Sequence, residues 1–112
     1  MKFLAASRPG ALPLVQVIFT PTAIRQLDKL HSDITSRSGQ SRADGYVGRI
    51  VAFCQGLETF PVRGTGRDDL LPGLRTIGFE RRVTIAFVVT ADAVLIEGVF
   101  YGGQDFEAAF RE

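Results

Sequence analysis

Eleven arginines and only two lysines carry the positive charge of this chain, and five of them, Arg63, Arg67, Arg75, Arg81 and Arg82, fall within twenty residues of one another. A guanidinium presents a planar fork of donors that matches carboxylate or phosphate oxygens, so the chemistry of such a cluster is anion recognition. Its plain alternative is local pairing with Asp68, Asp69 and Glu80, which leaves only solvated surface charge. Arg75 and Arg82, at the edge of a sheet, are assigned the recognition role, and Arg81, in a turn, the ordinary one. Other chemistry fails on counting. A nucleophilic triad needs a base that titrates near neutrality. The single histidine, His31, lies on an apolar helix side between Leu27 and Ile34, as a core-flanking imidazole does. The single cysteine, Cys54, sits among Ile50, Phe53 and Leu57, and is expected to be a small buried hydrophobe. One His and one Cys cannot build a metal site with the scattered carboxylates, so no metal and no cofactor is expected. Gly64-Thr65-Gly66 lacks both the strand before it and the Lys-Ser/Thr after it that a phosphate loop requires.

The elements that must position these side chains follow from pattern. With 112 residues, 46% hydrophobic and 22% charged, the chain has the size of one domain and too much apolar content for a disordered tail. No apolar run approaches the roughly 20 residues of a membrane span. A net charge of +1 points to no bulk affinity for nucleic acid or membrane, and cysteine usage fits a reducing, cytoplasmic setting. Residues 1–14 contain Pro9, Gly10 and Pro13 and are expected to form an irregular arm, with a single domain over 15–112. Residues 15–19 are β-branched and apolar, a first strand. Thr20-Pro21 is a helix-start signature, and Ala23, Ile24, Leu27, Leu30, His31 and Ile34 share one face of a helix over 21–37. After a break at Ser38-Gly39-Gln40, Ser41 to Asp44 offers a second cap. The following helix aligns Ala43, Tyr46, Val47, Ile50, Phe53, Cys54 and Leu57, and on its back Gly48, Ala52 and Gly56 make a small-residue ridge, expected to face solvent. Residues 60–72 are expected to be loop. Residues 74–79, 82–90 and 93–101 form an antiparallel meander separated by Glu80-Arg81 and Ala91-Asp92, and a last short helix spans 105–110. The expected fold is α+β, in the order β-α-α-β-β-β(-α), a helical hairpin on one face of a mainly antiparallel four-stranded sheet.

Helices on one side should leave the other face polar, yet both faces are apolar here. Strict alternation places Val83, Ile85, Phe87 and Val89 with Val94, Ile96 and Phe100 on one face, and Thr84, Ala86 and Val88 with Leu95, Glu97, Val99 and Tyr101 on the other. The hairpin covers one. The second is either an interaction surface or is covered by the arm and the terminal helix.

Five motifs in order give a family resemblance. Phe-Thr-Pro-Thr-Ala at 19–23, Phe-Pro-Val-Arg-Gly at 60–64, Asp-Leu-Leu-Pro-Gly-Leu-Arg at 69–75, Arg-Arg-Val-Thr-Ile-Ala-Phe at 81–87 and Val-Phe-Tyr-Gly-Gly-Gln-Asp-Phe-Glu at 99–107 resemble the ParE toxins of the RelE/ParE superfamily. The resemblance implies a growth-inhibiting, plasmid-stabilising toxin of a type II toxin–antitoxin system, bound by a ParD-like antitoxin in a hetero-oligomer that contacts DNA only through the antitoxin. ParE-type members trap DNA gyrase with cleaved DNA, whereas RelE-type members cut mRNA on the ribosome. The low net charge and the ParE-like surroundings of Tyr101 favour gyrase and a non-enzymatic toxin. The target-facing set is then Arg63, Arg75, Arg82, Tyr101, Gln104 and Asp105, expected together at one end of the sheet. The antitoxin is expected on Ala86, Val88, Leu95 and Val99, with Phe106 and Phe110 of the tail. In the alternative, a ribosome-dependent ribonuclease, Tyr101 is the acid or base and Arg75 and Arg82 hold phosphate; in a third, the chain is an inactive remnant that binds its antitoxin. Two features depart from the family pattern: the arm, and Gly103-Gln104, where many members carry a basic residue.

Overall fold

The computed structural model describes residues 16–111. The expected arm over 1–14 and Val15, at the head of the first strand, lie outside the described residues. β1 (Gln16–Phe19) leads to α1 (Pro21–Ser38), α2 (Gln40–Gln55), a single 3₁₀ turn (Gly56–Glu58), β2 (Thr65–Gly66), β3 (Leu74–Phe79), β4 (Val83–Val89), β5 (Ala93–Tyr101) and α3 (Phe106–Phe110). The sheet order is β1-β5-β4-β3-β2. β1 runs parallel to β5, with Val17 opposite Val94 and Phe19 opposite Ile96, and the remaining pairs are antiparallel. The sheet therefore has five strands. The extra one is the two-residue β2, within the expected loop, where Thr65 and Gly66 pair with Thr76 and Arg75. So short a strand has no periodicity to detect.

Thr20 starts α1 as its type demands. Its Oγ1 accepts from the Ala23 amide at 3.2 Å and donates to the Ile96 carbonyl at 3.0 Å, tying the helix start to β5. A single residue, Gly39, separates the end of α1 from the start of α2 at Gln40, so the cap is Gly39 and not Ser41. α1 and α2 cover one sheet face, where Leu27, Ile50, Leu57, Ile85, Phe87 and Ile96 are fully buried with Cys54. Burial pushes the Cys54 thiol up to about 12, so it stays protonated at neutral pH. His31 flanks this core, its Nε2 2.7 Å from Asp44 Oδ1 across the hairpin. The ridge of Gly48, Ala52 and Gly56 is exposed.

One irregularity reorders the faces. Between β4 and β5 the register shifts: Phe87 faces Ile96 while Ala86 faces Gly98, so Glu97 is a bulged residue. Beyond it every side chain of β5 changes side. Val99, opposite Ile85, joins the helix-side core at 3% exposure, and Tyr101 packs there too. Phe100 turns to the other face, with Leu74 and Ala86. The alternation read from sequence is thus corrected after Glu97: Val99 and Tyr101 do not share a face with Leu95, nor Phe100 with Ile96. Gln26 of α1 holds the bulge, since its Oε1 accepts the Val99 amide at 2.7 Å. Gly98 gives Phe100 room, as a Cβ there would lie 2.5 Å from its ring. Replacing Gln26 with Ala leaves the Val99 N–H without its acceptor and is expected to lower unfolding free energy by about 1–3 kcal/mol. Urea denaturation of the two proteins measures this, with an unchanged slope marking a pure stability effect.

Candidate functional site

The turn between α1 and α2 abuts the end of the sheet where β4 begins and β5 ends. Between them lies a cleft of about 580 Å³ lined by Arg37, Arg42, Arg49 and Arg82, by Ser38 and Ser41, and by Tyr46 and Tyr101. These are both tyrosines of the chain and four of its eleven arginines. Arg42, Tyr46 and Arg49 come from one face of α2, at the i, i+4, i+7 spacing that a helix turns to one side. Arg37 closes α1, its Nε donating to the Asp33 carbonyl at 3.2 Å. Arg49 grips Glu80 with both prongs, at 3.0 and 3.1 Å, and its guanidinium lies 5.2 Å from the Tyr46 ring centre. This hydrogen bonding pulls the Glu80 carboxyl below the usual carboxylate range and holds Arg49 charged. Glu80 reaches it from a tight turn in which both central residues, Glu80 and Arg81, have positive φ, 49° and 65°. Arg42 and Arg82 have no carboxylate partner among the described residues.

The tyrosine rings meet edge to face, 6.1 Å between centres. The Tyr46 hydroxyl is buried with no hydrogen-bond partner among the described residues. Burial, then the neighbouring Tyr101 and Glu80, push its phenol up, so it is a neutral donor. The chain after Tyr101 fixes that residue in turn: the Tyr101 amide donates to Gln104 Oε1 at 2.7 Å, and Gly102 N–H donates to the Arg82 carbonyl at 2.6 Å. α2 adds its own field. It opens on Gly39 with no side-chain cap and no acid in its first turn, leaving its positive end beside Ser41 and Arg42. The arrangement suits binding of an anion.

The residues expected at the target-facing end divide into two groups. Arg82, Tyr101 and Gln104 stand together, with Asp105 next to them as the cap of α3, accepting the Ala108 amide at 3.3 Å. Arg63 and Arg75 lie elsewhere, because Arg75 pairs with Phe87 and not with the start of β4. Four residues of strand, about 13 Å, separate it from that end. Arg75 has local work: Nε and Nη2 donate to the Arg63 and Gly64 carbonyls at 2.7 and 3.1 Å. Gly64 itself has φ 74°, and a Cβ there would clash with the Thr76 carbonyl, so only glycine fits. Arg63 covers the Phe53 ring at 5.5 Å, next to Phe60 and Val62, which are 68% and 73% exposed. Sequence reasoning missed Arg37, Arg42, Arg49 and Tyr46; the helical spacing of the last three was the available signal. Phe60 and Val62 were hidden by treating the segment as loop.

On the face away from α1 and α2, Leu74, Ala86 and Phe100 are buried beneath Leu70, Val88, Phe106 and Phe110. α3 thus covers part of this face, Phe106 and Phe110 each 6.1 Å from the Phe100 ring centre. Val88 and Leu95 stay half-exposed, whereas Ala86 is buried and Val99 lies on the opposite side. Of the surface expected for an antitoxin, Val99 is therefore removed by the bulge. Arg67 fastens α3. It pairs with Asp69 at 2.9 Å and Glu107 at 2.6 Å and lies 5.6 Å from the Phe106 ring centre. Asp68 caps a neighbouring turn through the Gly73 amide at 2.7 Å. Of the three acids that the alternative reading pairs within the arginine cluster, only Asp69 does so, through Arg67; Glu80 is taken by Arg49.

The family model described as ParE toxin of type II toxin-antitoxin system, parDE, matches residues 17–106. The chain belongs to the ParE toxin family. Toxin ParE3 of Caulobacter vibrioides is 36% identical over 61 residues, 54% of this chain and 61% of that protein. A solved structure of the chromosomal ParDE TA system from P. aeruginosa superposes with a TM-score of 0.67 at 25% identity, over 77% of this chain and 94% of that one. The element order and helix-on-sheet arrangement are thus those of a ParE toxin.

Arg67 ties α3 to the loop before β3 in this ParE-family chain. In Arg67→Ala, chymotryptic cleavage after Phe106 is expected to speed severalfold, as the rate follows the population in which α3 has lifted. Asp69 carries a depressed carboxyl because Arg67 hydrogen-bonds it, so the Arg67–Asp69 pair that orients the clamp is intact above the usual carboxylate range and lost as pH falls through the lowered value. The same proteolysis rate, followed toward acid pH with an acid-active protease, checks that sign.

Proposed function

We propose that this protein is a growth-inhibiting toxin that binds DNA gyrase and traps it with cleaved DNA, and that a ParD-like antitoxin neutralises it. The observation that carries the reading is the cleft of Arg37, Arg42, Arg49 and Arg82 around Tyr46 and Tyr101 in a chain whose family is ParE. Its proton-bearing groups are phenols, guanidiniums and the hydroxyls of Ser38 and Ser41, with the Tyr46 phenol pushed up by burial, which supports binding over proton transfer. Arg82, Tyr101 and Gln104 face the target from this end. Arg63, with the bare Phe60 and Val62 beside it and Arg75 holding their loop, offers the apolar and cationic contacts that protein interfaces concentrate. Asp105 acts through α3 as its cap.

The antitoxin contacts the face that α3 half covers. Val88 and Leu95 are its half-exposed apolar positions, Phe106 and Phe110 are the ring pair that marks the tail, and Ala86 becomes a floor for it when α3 moves. The toxin and antitoxin form a hetero-oligomer in the cytoplasm, and DNA of the operon is met through the antitoxin. Among the described residues no helix is long and apolar enough to cross a membrane and no group of three metal-ligating side chains is assembled.

Purified protein is expected to inhibit gyrase supercoiling and to leave cleaved DNA after denaturation of the enzyme. Arg82→Glu combined with Tyr101→Ala is expected to require at least about tenfold more protein for the same effect, about 1.4 kcal/mol of binding, with circular dichroism unchanged. Untouched gyrase together with cleavage of ribosome-bound mRNA, lost in Tyr101→Phe, would establish the ribonuclease instead.

A further inference from the structure

The net charge of +1 conceals a strong asymmetry. Among the described residues, four guanidiniums and no acidic residue line one cleft; of the carboxylates nearby, Glu80 is consumed by Arg49 and Asp105 caps α3. Asp33, on the last turns of α1, is paired with Lys29 at 3.1 Å, and Asp44 with His31 on the far side of the hairpin. Arg42 and Arg82 therefore remain unneutralised, next to the uncapped positive end of α2. Two independent features converge on an oxyanion, guanidiniums without a carboxylate and the open N-terminus of a 16-residue helix, and behind them the buried Tyr46 hydroxyl has no partner among the described residues. The two tyrosine rings, packed edge to face, form an apolar wall beside these guanidiniums.

We propose that the cleft binds a backbone phosphate of DNA, so that the toxin touches the nucleic acid held by gyrase as well as the enzyme. The choice of DNA rests on the gyrase reading above; the phosphate chemistry rests on the cleft. Arg42 and Arg82 are the two charges that contact the phosphate, with Arg49 held in place by Glu80 and Arg37 by its own helix.

Two phosphate contacts set the expected numbers. A fluorescein-labelled DNA duplex of about 16 base pairs, followed by anisotropy, is expected to bind with a dissociation constant of about 10⁻⁴–10⁻⁶ M, and log affinity should fall with log salt at a slope of about −2. Arg42→Ala with Arg82→Ala is expected to lose at least about tenfold in affinity and to flatten that slope toward zero. Arg25→Ala, an exposed arginine bonded to Thr22 outside the cleft, should behave as wild type. In unsubstituted protein the ring NMR signals of the two tyrosines should shift on adding the duplex, a readout that needs no variant. Undisturbed tyrosine signals, an Arg25→Ala loss equal to that of the double variant, or displacement of the duplex by RNA or polyglutamate at a lower phosphate or carboxylate concentration would each overturn the proposal. Supercoiling inhibition, measured on the same protein, separates the two readings. Inhibition without cleft-dependent DNA binding sinks this inference and leaves the gyrase reading, whereas cleft-dependent binding without inhibition sinks the gyrase reading, and with it the choice of gyrase-held DNA, and leaves only the phosphate-binding cleft.

Discussion

The bulge at Glu97 is the constraint on which the functional surfaces depend. One extra residue in β5 exchanges the faces of everything after it. Val99 then closes the core under α1, Tyr101 comes up against Tyr46 at the arginine cleft, and Phe100 becomes the platform for α3. With unbroken alternation Tyr101 would stand on the α3 side and Phe100 in the core. The bulge is in turn held by α1, because Gln26 accepts the amide freed at Val99, and by Gly98, whose missing side chain admits the Phe100 ring. α1 and β5 are also joined where Thr20 donates to Ile96. The sheet irregularity, the helix docking and the site are one assembly.

Arginine is used in this fold for two purposes, which burial and pairing separate. Arg67 clamps α3, Arg75 holds two loop carbonyls, and Arg49 is matched to Glu80. Each acts as a multidentate brace for which lysine, a single point charge, is a poor substitute. Arg42 and Arg82 have no such employment, and they face the same cleft. An evenly mixed composition can therefore carry a strongly polarised surface, since carboxylates spent on structural pairs no longer offset the charge at the site.

Much of the fold was legible because its elements carry strong local signals. The threonine cap and proline of α1, the long amphipathic faces of both helices, and the three strands of the meander are periodic over many residues. The family too was legible, from ordered motifs along nearly the whole chain. What escaped is non-local. β2 is two residues long and exists only through its pairing with β3. The bulge breaks a period of two at a residue, Glu97, whose type does not announce it, and so Val99 was placed on the wrong face. The arginine cluster was sought by closeness in sequence, which joined Arg75 to Arg82 although the strand register separates them, and overlooked Arg37, Arg42 and Arg49, which the helical hairpin brings to Arg82. Arg42, Tyr46 and Arg49 did carry a helical-spacing signal, but it gains meaning only once the sheet end opposite is known.

The central claim is that this surface stops a bacterial cell at gyrase. Inducing the protein alone in a bacterial host and pulse-labelling newly made DNA and protein over the first minutes tests it most directly. An early fall in DNA synthesis, with protein synthesis following later, is the result the account predicts. An early fall in protein synthesis with DNA spared would contradict it.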